Sequence, residues 1–135
     1  MVNGKKNKNK KILVIDDDPI ITAMFFRILS AEGFDILIAD SGVEFVNELG
    51  GIQFDIIFID VLMSWISGIS LCRLIRQNTF YKNTKIIIIS GMGGEKDIRT
   101  GYEAGCNQYL VKPISSDLLI KTVESMYSIN RINTI

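Results

Sequence analysis

The sequence predicts an α/β fold: a doubly wound, five-stranded parallel sheet in the order 2-1-3-4-5, with five helices. Three observations carry this. Short aliphatic runs alternate strictly with segments of helical period, five of each. The runs at 12–15, 56–59 and 86–89 are apolar throughout, the pattern of strands buried on both faces. The runs at 35–39 and 108–111 are weaker and suit the sheet edges, and right-handed crossovers then set the order.

Residues 11–15 form the first strand. Over residues 18–32, Ile20, Ile21, Met24, Phe25, Ile28 and Leu29 recur at helical spacing. Asp18 is a good N-cap, Pro19 suits the first turn, and Gly33 suits the stop. Residues 35–39 are the second strand. Ser41 and Glu44 have capping-box spacing and open a helix to about Leu49. Residues 54–59 are the third strand. Residues 70–77 are helical, with Leu71, Leu74 and Ile75 on one face. Residues 85–89 are the fourth strand, and 95–104 a polar helix before Gly105. Residues 108–111 are the fifth strand. The last helix spans 116–127, with Leu118, Leu119, Val123 and Met126. Residues 1–10 are expected to be a disordered basic tail, 11–128 the folded domain, and 129–135 a C-terminal tail or linker.

Length and composition limit the function classes. With 135 residues, 47% hydrophobic and 22% charged, one packed domain is expected and global disorder is excluded. The net charge is zero, yet five lysines fall within the first eleven residues. Residues 12–135 carry 10 basic and 15 acidic residues, which disfavours direct nucleic-acid binding. No aliphatic run is long enough for membrane insertion, and no signal peptide is recognisable, so a cytoplasmic location is expected. Cys72 and Cys106 do not suggest a disulfide framework. The absence of histidine removes histidine general bases, serine–histidine triads and histidine metal sites.

The chemistry lies where the strands end. The first strand ends in Asp16-Asp17-Asp18, the third in Asp60, the fourth in Ser90-Gly91 and the fifth in Lys112-Pro113. In this fold class all four ends meet on one sheet edge, beside the point where the strand order reverses. Each alone reads as an ordinary helix start or turn. Together, Asp16, Asp17 and Asp60 would repel strongly without a cation between them, and an all-oxygen donor set suits Mg²⁺. Lys112 offsets the remaining charge and pairs with a phosphoryl oxygen, and the Ser90 hydroxyl adds a hydrogen bond. An aspartate beside Mg²⁺ acts as a nucleophile toward phosphorus. The expected site is therefore an aspartyl-phosphate site.

These runs resemble the receiver domain of bacterial two-component response regulators: Ile12-Leu-Val-Ile-Asp-Asp-Asp-Pro19, Asp55-Ile-Ile-Phe-Ile-Asp60-Val-Leu-Met63 with Gly68, Ile86-Ile-Ile-Ile-Ser90-Gly91, and Tyr109-Leu-Val-Lys112-Pro113. The resemblance covers about residues 11–128 and implies a flavodoxin-like, chemotaxis-receiver-like domain. It implies Asp60 as phosphoacceptor, with Asp16, Asp17, Asp60 and the Leu62 carbonyl as Mg²⁺ ligands. It implies Ser90 as the switch hydroxyl, Tyr109 as the switch aromatic, Lys112 as the phosphoryl partner, and a cis Lys112–Pro113 bond. The partners implied are a histidine kinase or phosphotransfer protein and an effector that reads the face formed by the fourth helix, fifth strand and fifth helix. The state implied is a monomer or a phosphorylation-dependent dimer. Such a chain is not an enzyme in the usual sense, since it catalyses only its own phosphorylation and dephosphorylation.

The loop at 62–68 departs from the family pattern. Ser64 stands where proline is usual and Ser67 where aspartate is frequent, with Trp65 between them as a fluorescent reporter. Leu62 and Met92 flank the path of attacking water in receivers. Both are apolar here, so the phosphoryl group is expected to be long-lived. Two alternatives stay open at this point. One is a degenerate receiver acting as a constitutive interaction module, which predicts no Mg²⁺-dependent response. The other is a haloacid-dehalogenase-like phosphohydrolase built on Asp16-x-Asp18, which predicts turnover that survives loss of Asp60.

Overall fold

The computed structural model describes residues 10–45, 50–63 and 66–134. The strands are β1 (Lys11–Ile15), β2 (Asp35–Ala39), β3 (Ile56–Asp60), β4 (Lys85–Ser90) and β5 (Gln108–Val111). They form one parallel sheet in the order β2-β1-β3-β4-β5, as the alternation predicts. The helices are α1 (Pro19–Ala31), α2 (Gly42–Glu44), α3 (Gly68–Gln77), α4 (Glu95–Glu103) and α5 (Ser116–Thr134), with a 3₁₀ turn at Thr79–Tyr81. Among the described residues, four helices are full length. The expected helix to Leu49 is described only through its first turn, since residues 46–49 fall outside.

Alternation along the strands builds two cores, because successive side chains leave opposite faces. Ile12, Val14, Ile56, Phe58, Ile87, Ile89 and Leu110 pack with Phe25 and Leu29 of α1 and with Leu119, Val123 and Met126 of α5. Leu13, Ile15, Ile57, Ile59, Ile86, Ile88 and Tyr109 pack with Leu71, Cys72 and Ile75 of α3. Phe25 meets Phe58 edge to face, with centroids 5.1 Å apart, an arrangement that adds to simple area burial.

The local signals act as their chemistry demands. Asp18 accepts from the Ile20 amide at 2.9 Å and caps α1, with Pro19 in its first turn. Gly33, at φ 94°, takes the left-handed conformation that ends the helix. Ser41 accepts from the Glu44 amide, and the Glu44 carboxylate reaches back to accept from the Asp40 amide.

Three expectations need correction. Leu74 of α3 is exposed, and the buried stripe is Leu71, Cys72 and Ile75. Ile20 and Leu118, each in the first turn of its helix, are exposed too. Finally, α5 runs on to Thr134, past its expected end at Tyr127. No glycine or proline interrupts residues 116–134 to stop it.

Candidate phosphorylation site

Strand register assembles the site. Ile15 pairs with Ile59, so Asp16 follows β1 at the level where Asp60 ends β3. Asp60 pairs with Ile89, and Ser90 is the next residue of β4. Ser90 pairs with Val111, and Lys112 follows at once, its amide donating to the Ser90 carbonyl at 2.7 Å. The four strand ends therefore deliver their polar residues to one edge. The sequence places these residues one position past each aliphatic run, and the parallel register keeps that offset.

Carboxylate oxygens of Asp16, Asp17 and Asp60 all lie within 4.8 Å of one another. Asp16 and Asp60 are buried, whereas Asp17 is exposed. The Lys112 ammonium lies 3.3 Å from Asp60 Oδ1 and 3.7 Å from Asp16 Oδ2. Burial pushes the Asp16 carboxyl up to about 6, against a hydrogen bond from the Asp18 amide and with the Asp60 charge adding to the rise. Burial also raises Asp60, opposed chiefly by Lys112 and by the Leu62 amide. One lysine does not neutralise three carboxylates. Asp16 Oδ2 is buried with no hydrogen-bond partner. A buried carboxylate oxygen without a donor, facing two further carboxylates, fits a hard divalent cation.

Two separate clusters result. Asp16, Asp17, Asp60 and Lys112 make one. Ser90, Met92 and Tyr109 make the other: Ser90 Oγ accepts from the Met92 amide at 3.0 Å, and the Tyr109 hydroxyl donates to the Met92 carbonyl at 2.7 Å. Both Ser90 and Tyr109 are buried. Because Ser90 Oγ is an acceptor in that bond, its own proton remains available to an oxygen at the site. Leu62 and Met92 are exposed at the rim, and the Lys112–Pro113 bond is cis. Ser64 and Trp65 lie outside the described residues. Asp18, the second acid of the phosphohydrolase alternative, caps α1 instead of joining the cluster.

Two glycines have steric roles that the motifs do not state. Gly68 sits against the backbone of Asp60 and Val61, its amide donating to the Val61 carbonyl at 2.9 Å. Gly101 faces the Tyr109 ring. The signal for Gly101 is a glycine inside a helical segment, an unfavourable choice that asks for a steric reason.

The chain matches the family described as the response regulator receiver domain over residues 12–124. It belongs to that family. PilG of Pseudomonas aeruginosa is 31% identical over 115 residues, covering 85% of each chain. ResD of Bacillus subtilis, a transcriptional regulatory protein, is 34% identical over 116 residues, 86% of this chain and 47% of that protein. This receiver thus spans most of PilG but about half of several longer regulators. Among solved structures, the receiver domain of Francisella response regulator 1452 is 33% identical with a TM-score of 0.83, covering 90% of this chain and 99% of that one. Chemotaxis protein CheY4 of Vibrio cholerae is 27% identical with a TM-score of 0.81, covering 87% and 98%. Receivers serve phosphorylation-dependent signalling in two-component systems and bind Mg²⁺ at an acidic pocket. No helix among the described residues is long and apolar enough to cross a membrane.

Proposed function

We propose that this receiver is a phosphorylation-activated switch in which Asp60 accepts a phosphoryl group from a histidine kinase or phosphotransfer protein. The observation that carries the reading is the approach of Lys112 to Asp60, 3.3 Å, within the cluster of three carboxylates. A carboxylate oxygen of Asp60 attacks phosphorus and forms the acyl phosphate. The phosphorus–nitrogen bond of the donor phosphohistidine breaks, and the imidazole leaves with the bonding pair. Lys112 holds charge against the entering phosphoryl oxygens. Asp16, Asp17, Asp60 and the Leu62 carbonyl would hold Mg²⁺, which supplies the positive charge that lets an anionic nucleophile meet an anionic donor.

Ser90 and Tyr109 carry the change outward. The Ser90 proton turns to a phosphoryl oxygen, while Met92 couples Ser90 to Tyr109 through its amide and carbonyl. Phosphorylation then biases a two-state equilibrium at the face of α4, β5 and α5. An effector reads that face, with the receiver a monomer or a phosphorylation-dependent dimer, in the cytoplasm. The chain acts catalytically only on its own acyl phosphate.

The test is intact mass after incubation with Mg²⁺ and a small acyl phosphate donor. Wild type gains one phosphoryl group and Asp60→Asn gains none. Equal labelling of both, or of neither, overturns the assignment.

A further inference from the structure

Tyr109 lies on β5 under α4 with its ring buried, and Gly101 of α4 faces it. A Cβ added at Gly101 would come 2.6 Å from Tyr109 Cδ2 and 3.0 Å from Cε2. Real Cβ atoms do not approach as closely as 2.6 Å, so a side chain at 101 requires the ring or the helix to shift. Nothing else at this position asks for glycine. Its backbone is not left-handed; the left-handed glycines are Gly33 and Gly105. Glycine is also among the poorest residues for a helix interior. The remaining wall of the notch is firm, since Ile88 Cδ1 would stand 3.5 Å from the same Cβ.

We propose that Gly101 is a positioning residue of the switch. Its bare Cα is the notch in α4 that admits the Tyr109 ring and so permits the hydroxyl to reach the Met92 carbonyl. With the notch filled, the ring leaves, the bond to Met92 is lost, and of the two side-chain hydrogen bonds to Met92 only that to Ser90 remains. Gly101 touches neither the phosphoacceptor nor its ligands, so it sets the equilibrium of the switch without entering the chemistry. This rests on the reading of Tyr109 as the aromatic that relays phosphorylation.

The test uses the full chain labelled with 3-fluorotyrosine, the Tyr109 fluorine signal being assigned from Tyr109→Phe. In Gly101→Ala the Tyr109 signal moves to a solvent-exposed position while the other three tyrosines keep theirs. Mg²⁺-dependent binding of beryllium fluoride weakens roughly tenfold, because binding and ring position are coupled. Adding Gly101→Ala to Tyr109→Ala changes beryllium fluoride affinity no further, since no ring remains to be displaced; this double variant also controls for damage to the helix. An unmoved Tyr109 signal in Gly101→Ala overturns the notch. A further loss in the Tyr109→Ala background overturns action through Tyr109. A moved signal with undiminished beryllium fluoride affinity overturns the coupling. Failure of wild type to bind beryllium fluoride overturns the phosphorylation reading itself, and with it the claim that the notch governs a switch.

Discussion

Gly68 leaves no room for a side chain over the phosphoacceptor: a Cβ there would lie 2.8 Å from the carbonyl carbon of Asp60 and nearer still to its oxygen. The start of α3 is thereby clamped onto the end of β3. Replacing Gly68 with alanine forces the backbone of Asp60 or of the helix to move. We expect Gly68→Ala to lose on the order of 2 kcal/mol of stability and to label with phosphoryl groups far more slowly than wild type. Urea denaturation and intact mass measure the two effects.

Asp16 gives the cation-free protein a defined pH dependence. Its folded value, about 6, lies above the ordinary 3.8. The folded state therefore holds the proton more tightly than the unfolded chain. This contribution is fully present below pH about 4 and is lost as pH rises through about 6, amounting to at most about 3 kcal/mol. Asp60, raised in the same sense, adds to the trend. Thermal or urea unfolding across this window should show stability falling with pH, and Asp16→Asn should flatten the curve. Mg²⁺ should stabilise strongly above pH 6 and little below pH 5, since it competes with the proton.

Arg76 of α3 is a separate point of stability. Its guanidinium donates to the Gly105, Tyr81 and Thr84 carbonyls and to Asn107 Oδ1, at 2.6–3.2 Å. Removing it takes a donor from four acceptors at once, of which the Tyr81 carbonyl keeps the Thr84 amide and Asn107 Oδ1 the Ile86 amide. Arg76→Ala should lose about 3 kcal/mol. Arg76→Lys should recover under half of that, because an ammonium cannot reproduce the planar fork. Both should still label at Asp60 when kept below their unfolding temperatures.

Leu62 and Met92 border the site without polar atoms on their side chains to orient water. The acyl phosphate should therefore persist. Leu62→Asn and Met92→Glu should each shorten its lifetime roughly tenfold by supplying a group that positions or activates water. Decay of phosphoryl mass after donor removal measures this directly, and unchanged lifetimes would show both residues to be mere surface.

Much of this is legible in the sequence alone. Strands 1, 3 and 4 are uniform apolar runs, and their first polar residues, Asp16, Asp60 and Ser90, fall on one edge because parallel strands share a direction. Chain-local signals such as Asp18, Pro19 and Gly33 worked for the same reason: cap and stop chemistry acts within a few residues. What stayed hidden depends on distant partners. Leu74 and Cys72 are both plausible core residues by period, and only the angle at which α3 meets the sheet buries Cys72. The roles of Gly68, Gly101 and Arg76 come from residues 5 to 31 positions away. The extent of α5 escaped because no residue past Tyr127 marks a stop.

The central claim is Mg²⁺-dependent phosphorylation at Asp60, and the single tryptophan, Trp65, five residues beyond it, offers the most direct measurement. Trp65 fluorescence is followed while Mg²⁺ is titrated and beryllium fluoride is then added, on wild type and on Asp60→Asn. The account predicts a Mg²⁺-dependent change in wild type and a further response to beryllium fluoride that Asp60→Asn lacks. Silence in wild type, together with an unchanged intact mass after treatment with a phosphodonor, would contradict it and leave a degenerate receiver that acts by constitutive binding.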